Sequence, residues 1–155
     1  MHDRADVAIM LALQRDASLT NNALSGLVNL SPSQCSRRRQ ALEDSGVIVA
    51  YRAELDADQL GFGIEALTRV TLATHNASTS DEFSGFLASL SEVVEAQAVT
   101  GDADYVLRLR VRSLDELADF IHRQLLPHAA VAQVKSDIVL KTVKPYIGLQ
   151  PVASR

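Results

Sequence analysis

The chain has 155 residues, 47% of them hydrophobic, so it can bury a core without disulfides or bound metal. Its formal net charge is −4 and its few lysines all follow residue 134. This charge distribution excludes a protein that binds nucleic acid through overall positive charge. A single cysteine excludes an internal disulfide and a multi-cysteine metal site, and with no signal peptide or membrane-length apolar run we expect a cytoplasmic protein.

The start of the chain predicts two helices. In the stretch DRADVAIMLALQRDA, apolar residues recur at helical spacing, with Val7, Met10 and Leu11 on one side. The stretch TNNALSGLVN predicts a shorter helix, which begins at Thr20 or Asn21 because either side chain can accept a hydrogen bond from the first helical turn.

A third helix follows after a tight break at LSP. Ser31 suits the N-cap, the proline after it suits the first helical position, and Gly46 ends the helix just after Ser45. Three helices with a short break between the second and the third are typical of a helix-turn-helix.

Beyond Gly46 the hydrophobic pattern alternates. The stretch VIVAYRAEL predicts a strand that forms a wing beside the helices and carries Tyr51 and Arg52. The polar, glycine-bearing stretch DADQLGFG then predicts a linker. We therefore expect a winged helix-turn-helix domain over residues 1–55 and a linker over residues 56–62.

The second half of the chain predicts strands and two amphipathic helices. In DYVLRLRVR, Leu107 and Leu109 face one way and Arg108 and Arg110 face the other. The stretches GIEALTRVTLA, VVEAQAVT and SDIVLKTV predict three further strands. The helices are DEFSGFLASL and LDELADFIHRQLL, with predicted capping pairs Thr79–Glu82 and Ser113–Glu116.

These elements follow the order βαββαβ, which is a ferredoxin-like fold. The predicted class is therefore α+β, with this domain over residues 63–145 and a C-terminal tail over residues 146–155. Two helices can cover only one face of the sheet, and the strands look apolar on both faces. We expect the open face to pack against a second copy, which gives a dimer.

Three consecutive arginines lie in the third predicted helix. On a helical wheel Cys35 and Leu42 face the core, whereas Ser33, Arg37 and Gln40 face outward. Such a face suits the major groove, but arginines on an exposed helix are also often simply solvated. The position in a three-helix unit favours DNA. The candidate DNA-contacting residues are Ser31, Ser33, Gln34, Arg37, Arg38, Gln40 and Arg52.

Two long stretches carry a resemblance to a known family. LSPSQCSRRRQALEDSGVIVAYRAELDADQLG resembles the end of the winged helix of Lrp/AsnC transcription regulators, and EVVEAQAVTGDADYVLRLRV resembles the central hairpin of their ligand-binding domain. IVLKTVK resembles their last strand. The resemblance implies a homodimer that often assembles into a tetramer or octamer, binds double-stranded DNA and senses a small molecule, usually an amino acid. The chain departs from the family at Ser36, often aromatic there, and at Arg39, commonly apolar.

The loop VTGDADY between two strands is, by its residues alone, a hairpin turn. The resemblance implies that it lines the effector pocket at the dimer interface. Amides around Gly101 would then hold a carboxylate, and Asp102 or Asp104 an ammonium group. The last strand would add to this pocket. The candidate effector-binding residues are Thr100, Gly101, Asp102, Asp104, Ser136 and Asp137.

Two rival functions share this architecture. Siroheme decarboxylases are similar in layout, but they need histidines and basic residues around a tetrapyrrole, and the nearest pair here, His122 and Arg123, lies in a predicted helix. A DNA-architectural protein that senses no ligand is the other rival. The scattered histidines show no metal spacing, so we predict no metal site. The chain lacks a tetrapyrrole-binding stretch and a membrane-length apolar run, so we also predict no cofactor, no enzymatic activity and no membrane partner.

Overall fold

The computed structural model describes residues 2–153; Met1, Ser154 and Arg155, which belong to the predicted first domain and tail, lie outside the described residues. The chain forms two compact units. The first unit contains the residues up to Glu54 together with those from Lys144 onward, and the second unit runs from Leu55 to Val143. Within the described residues, no helix is both long and apolar enough to span a bilayer.

The first unit is built on three helices, α1 (Arg4–Arg15), α2 (Asn21–Val28) and α3 (Pro32–Asp44). One face of each helix is apolar, and these faces meet in a small core. The buried residues of this core are Ile9, Met10, Leu13, Leu24, Cys35 and Leu42. The helix-turn-helix layout predicted from the sequence is confirmed.

The helices begin and end at the capping and turn residues that the sequence indicates. The Thr20 hydroxyl accepts from the Ala23 amide at 3.2 Å and caps α2. Between α2 and α3 the chain turns at Asn29, which is left-handed at φ 53°. Gly46, at φ 73°, ends α3 in the conformation that favours glycine.

The predicted wing strand is wrong, since residues 47–55 form no strand in the structure. The amides of Val47 and Ile48 both donate to the Leu42 carbonyl at 3.0 Å, so the chain closes the end of α3 instead of pairing with a neighbour. Ile48 packs against the core while Val49 is 86% exposed. The alternation read from the sequence reflects this half-burial, and a strand also needs a partner ladder.

The second unit contains a four-stranded antiparallel sheet in the order β2-β3-β1-β4. The elements in chain order are β1 (Ile64–Leu72), α4 (Ala77–Ala88), β2 (Val93–Ala98), β3 (Tyr105–Val111), α5 (Leu114–Phe120), a π-helical turn (Ile121–Leu125) and β4 (Val131–Ile138). This is the predicted βαββαβ order, so the ferredoxin-like class is confirmed.

Two local predictions in this unit are wrong. The α4 cap is Asn76, whose side chain accepts from the Thr79 amide at 2.8 Å, rather than the pair Thr79–Glu82. The last strand begins at Val131 instead of Ser136, and Leu140, placed in that strand by the sequence, is 96% exposed. The edge strand is mostly exposed and polar, so its sequence lacks the apolar signal that a central strand shows.

The two faces of the sheet differ sharply. The face under the helices buries alternate residues of β1 and β3: Ala66, Thr68, Val70, Leu72, Tyr105, Leu107, Leu109 and Val111. On the other face, Glu65 pairs with Arg108 and Arg110, Arg108 Nε lies 3.1 Å from Glu95, and Arg69 pairs with Asp137. The expectation that both faces are apolar is therefore wrong. An ion-pair network covers the open face, and hydrophobicity alone does not demand a second copy there.

Candidate functional site

The outward face of α3 is a shallow polar surface. Burial of Cys35 and Leu42 in the core turns the opposite side of the helix to solvent. The residues that line a depression on that side are Ser33, Ser36, Arg37, Gln40, Ala41 and Asp44. Three of the predicted DNA-contacting residues, Ser33, Arg37 and Gln40, are thus brought together.

Arg37 is the free cation of this surface. Its side chain is exposed, and within residues 2–153 its guanidinium has no hydrogen-bond or ion-pair partner. Gln40, one turn further along, donates to the Asp44 carboxylate at 2.9 Å. The five N–H donors of Arg37 therefore remain available to an acceptor that approaches the face.

Arg38 is held by the first helix instead. Its guanidinium lies 2.8 Å from the Asp3 carboxylate and 2.7 Å from that of Asp6. The Asp6 backbone amide, and then Arg38, hold the pKa of the Asp3 carboxyl below its ordinary value. The same pairs raise the pKa of Arg38. Arg38 thus ties α3 to α1, and its charge is already compensated.

Arg39 is also occupied, in a network that the sequence analysis missed. Its Nε donates to the Tyr51 hydroxyl at 2.8 Å and to Glu43 at 3.2 Å, and one terminal N–H donates to the Leu19 carbonyl at 3.0 Å. Tyr51 in turn donates to Glu43 at 2.6 Å. Burial, followed by the bond to Glu43, raises the pKa of the Tyr51 phenol. The spacing of four between Arg39 and Glu43 is the signal that could have found part of this network.

The remaining DNA candidates divide between helix capping and solvent. Ser31 accepts from the Gln34 amide at 3.2 Å, and the Gln34 side chain accepts from the Ser31 amide at 2.9 Å. This capping box holds the first turn of α3. Arg52 is exposed and makes no ion pair with any residue in the described part of the chain.

The predicted effector loop is the hairpin connection that joins the end of β2 to the start of β3. The Val99 amide donates to the Asp104 carbonyl at 2.9 Å, and Gly101 has φ 119°, a conformation that favours glycine. Asp104 accepts from the Leu72 amide at 2.7 Å and lies 3.1 Å from His75 Nδ1. The exposed Asp102 carboxylate has no partner among the described residues. Of the two candidate aspartates, only Asp102 is free.

The two candidates on the last strand point in opposite directions. Ser136 shares a hydrogen bond with the buried Thr68 on the helix-covered side, whereas Asp137 pairs with Arg69 on the open face. β4 and β3 lie on opposite sides of β1 in the sheet. A single protomer therefore does not bring Ser136 and Asp137 together with the loop. No group of three or more potential metal-ligating side chains occurs among residues 2–153.

Two family models match the chain. A winged helix-turn-helix DNA-binding model matches residues 2–49, and an Lrp/AsnC ligand-binding domain model matches residues 65–149. Together they match most of each of the two units described above. The match to the first model includes α3 and its outward face, and the match to the second includes the loop at Gly101.

Characterised proteins are similar over nearly the whole chain. The transcriptional regulator AzlB of Bacillus subtilis is 33% identical over 149 residues, which cover 96% of this chain and 95% of AzlB. The leucine-responsive regulatory protein of Haemophilus influenzae is 33% identical over 142 residues, 92% of this chain and 86% of that protein. A solved transcriptional regulator from Neisseria meningitidis, in complex with L-Met, superposes with a TM-score of 0.90 at 33% identity, covering 94% of both chains.

Proposed function

This chain belongs to the Lrp/AsnC family of DNA-binding transcriptional regulators, and we propose that its dimer recognises a specific DNA sequence and responds to an amino acid. Its relatives are regulators, so the siroheme decarboxylase alternative falls away and the chain is not an enzyme. Because a regulator acts where the chromosome lies, we expect it in the cytoplasm.

The unpaired guanidinium of Arg37 carries the proposal for DNA. It stands on the outward face of the second helix of a helix-turn-helix, which is the helix that enters the major groove in such proteins. There it can donate two hydrogen bonds to a guanine edge or to a phosphate. The hydroxyl of Ser33 and the amide of Gln40 lie on the same face and add polar contacts.

The other candidates take supporting roles in this proposal. Ser31 and Gln34 hold the first turn of α3 by capping each other's amides, and the Ser33 amide, which has no partner among the described residues, favours a phosphate. Arg52 supplies a further phosphate contact. Arg38 orients α3 on α1 through its two carboxylate partners, so it contributes to DNA binding through position more than through direct contact.

The acidic balance of the chain bears on how DNA binding is achieved. With a net charge of −4, long-range attraction to DNA is weak. A pair of modest contacts made at once by a dimer can still give tight binding, because the second contact becomes intramolecular. We therefore propose that the dimer, or a larger assembly of dimers, is the binding species.

The proposed effector site is the loop from Thr100 to Asp104. The free Asp102 carboxylate suits the ammonium group of an amino acid, and the exposed amides near Gly101 suit its carboxylate. The L-Met bound to the Neisseria meningitidis relative supports an amino acid as the ligand class. The remaining candidates already have partners in the protomer: Asp104, Ser136 and Asp137. Each can bind the effector only if the effector displaces its present partner.

Selection from a random DNA pool tests the proposed function, because it requires no assumption about the target sequence. The wild-type protein should enrich a common sequence motif over successive rounds. A thermal-shift screen of the proteinogenic amino acids on the same sample should identify at least one that raises the unfolding temperature. A pool with no enriched motif contradicts sequence-specific recognition, and a screen with no shift contradicts amino-acid sensing.

A further inference from the structure

The side chain of Gln14 on α1 holds the C-terminal segment by two hydrogen bonds. Its Oε1 accepts from the Leu149 amide at 2.6 Å, and its Nε2 donates to the Leu149 carbonyl at 2.9 Å. The two residues are 135 positions apart in the chain. One amide side chain thus pairs with both polar groups of a single backbone residue, the arrangement that neighbouring strands use.

The neighbouring Gly148 is fitted to this pair. Its φ of 91° is a conformation that L side chains rarely adopt, and an added Cβ would lie 2.3 Å from Gln14 Oε1. Burial adds little to the attachment, because Tyr146 and Val152 on the same segment remain 81% and 86% exposed. We name the pairing of Gln14 with Gly148 and Leu149 the tail clasp.

The clasp changes how the DNA-binding unit is tethered. The first unit is joined to the second by the chain near residue 55, and again by the chain that continues after Val143. The second connection constrains the first unit only while the tail stays attached to α1. Without the clasp, only the connection near residue 55 would tether the helix-turn-helix to the sheet.

We propose that Gln14 is a positioning residue for DNA recognition, which limits the freedom of the helix-turn-helix relative to the sheet by holding the tail. The inference depends on the proposed function, since it concerns a dimer that reads two half-sites. Once one unit is bound, the affinity for the second half-site depends on the effective concentration of the other unit. Two tethers raise that concentration at the correct spacing, whereas one tether spreads it over many spacings.

The α3 surface does not depend on the clasp. Arg38 joins α3 to α1 through Asp3 and Asp6, and the core is closed by residues such as Ile9 and Leu13. Gln14 is exposed and belongs to neither set. Loss of the clasp should therefore leave binding to a single half-site unchanged.

The test uses the full chain and the duplex that wild type selects from a random pool. The variants Gln14→Leu and Gly148→Ala each remove the clasp in a different way. Gly85→Ala is the matched control, because an added Cβ there meets nothing within 4 Å. Fluorescence anisotropy then measures affinity for the duplex, for one isolated half-site, and for a duplex with half a helical turn inserted between half-sites. Amide exchange at Leu149 reports the clasp directly.

Both clasp variants should lose protection at Leu149 and bind the two-site duplex about tenfold more weakly. Their affinity for the single half-site should stay at the wild-type value, and the insertion should penalise them less than it penalises wild type. A parallel loss on the single half-site would overturn the proposal in favour of a purely structural role. Unchanged affinity on all duplexes, or an unprotected Leu149 amide in wild type, would also overturn it. Failure of wild type to select any duplex would instead contradict the proposed function.

Discussion

At the scale of single residues, three adjacent arginines have three different environments. Arg37 is free and exposed, Arg38 lies between the carboxylates of Asp3 and Asp6, and Arg39 is bonded to Tyr51 and Glu43. The helical wheel predicted the outward direction of Arg37 because burial of Cys35 and Leu42 leaves little choice. It could not predict the partners of Arg38, because Asp3 and Asp6 lie about thirty positions away and no local pattern connects them.

The lowered pKa of Asp3, which is caused first by the Asp6 backbone amide and then by Arg38, predicts a pH dependence of stability. The pKa of Asp3 is lowered from 3.8, so its ionised form stabilises the fold above that value, and the contribution is lost as the pH falls through the lowered pKa. Asp3→Asn keeps an N-cap oxygen but removes the charge. Urea unfolding should show wild type more stable than this variant at neutral pH, with the difference shrinking below about pH 4. A difference that stays constant into acid would contradict the lowered pKa of Asp3.

The two aspartates of the effector loop predict different mutant behaviour. Asp102→Asn removes an unpaired carboxylate, so it should abolish the thermal shift with the amino acid found in the screen and leave the ligand-free unfolding temperature nearly unchanged. Asp104→Asn weakens the bond from the Leu72 amide and should lower the ligand-free temperature. The reverse assignment of these two effects would place the ammonium site at Asp104.

At the scale of elements, the sequence predicted helices and central strands well and edges poorly. Helical spacing in α1 and period two in β3 are strong signals, since each element buries one face against a core. β4 lies at an exposed edge and carries polar residues. The sequence therefore predicted its start at Ser136, five positions after the observed start at Val131. The residues after α3 resemble a strand only because Ile48 packs inward.

The corrected cap of α4 predicts a difference between two neighbouring alanine variants. Asn76→Ala removes the acceptor for the Thr79 amide and should lower the free energy of unfolding by about 1 kcal/mol. Thr79→Ala keeps that amide and should change it by less than about 0.5 kcal/mol. Chemical denaturation followed by circular dichroism measures both. A larger loss for Thr79→Ala would restore the cap predicted from the sequence.

At the scale of the whole molecule, the resemblance to a known family predicted more than hydrophobic periodicity did. The βαββαβ order follows from periodicity, but the effector loop and the assembly into dimers were implied by the family. The physical basis predicted for the dimer, an apolar open face, is wrong, because Glu65, Arg108 and Arg110 form ion pairs there. A second copy on this face would have to match charges as well as shape, and such complementarity is not visible in one sequence.

We propose above all that α3 reads DNA through the free guanidinium of Arg37. The most direct measurement compares Arg37→Ala with Arg123→Ala, an exposed arginine in the second unit, by anisotropy titration on the duplex that wild type selects. Loss of Arg37 should weaken binding about tenfold, within the ~1–3 kcal/mol expected of such a contact, and should relax base preference, while Arg123→Ala binds like wild type. Equal affinities for wild type and Arg37→Ala would contradict a role for Arg37 in DNA recognition.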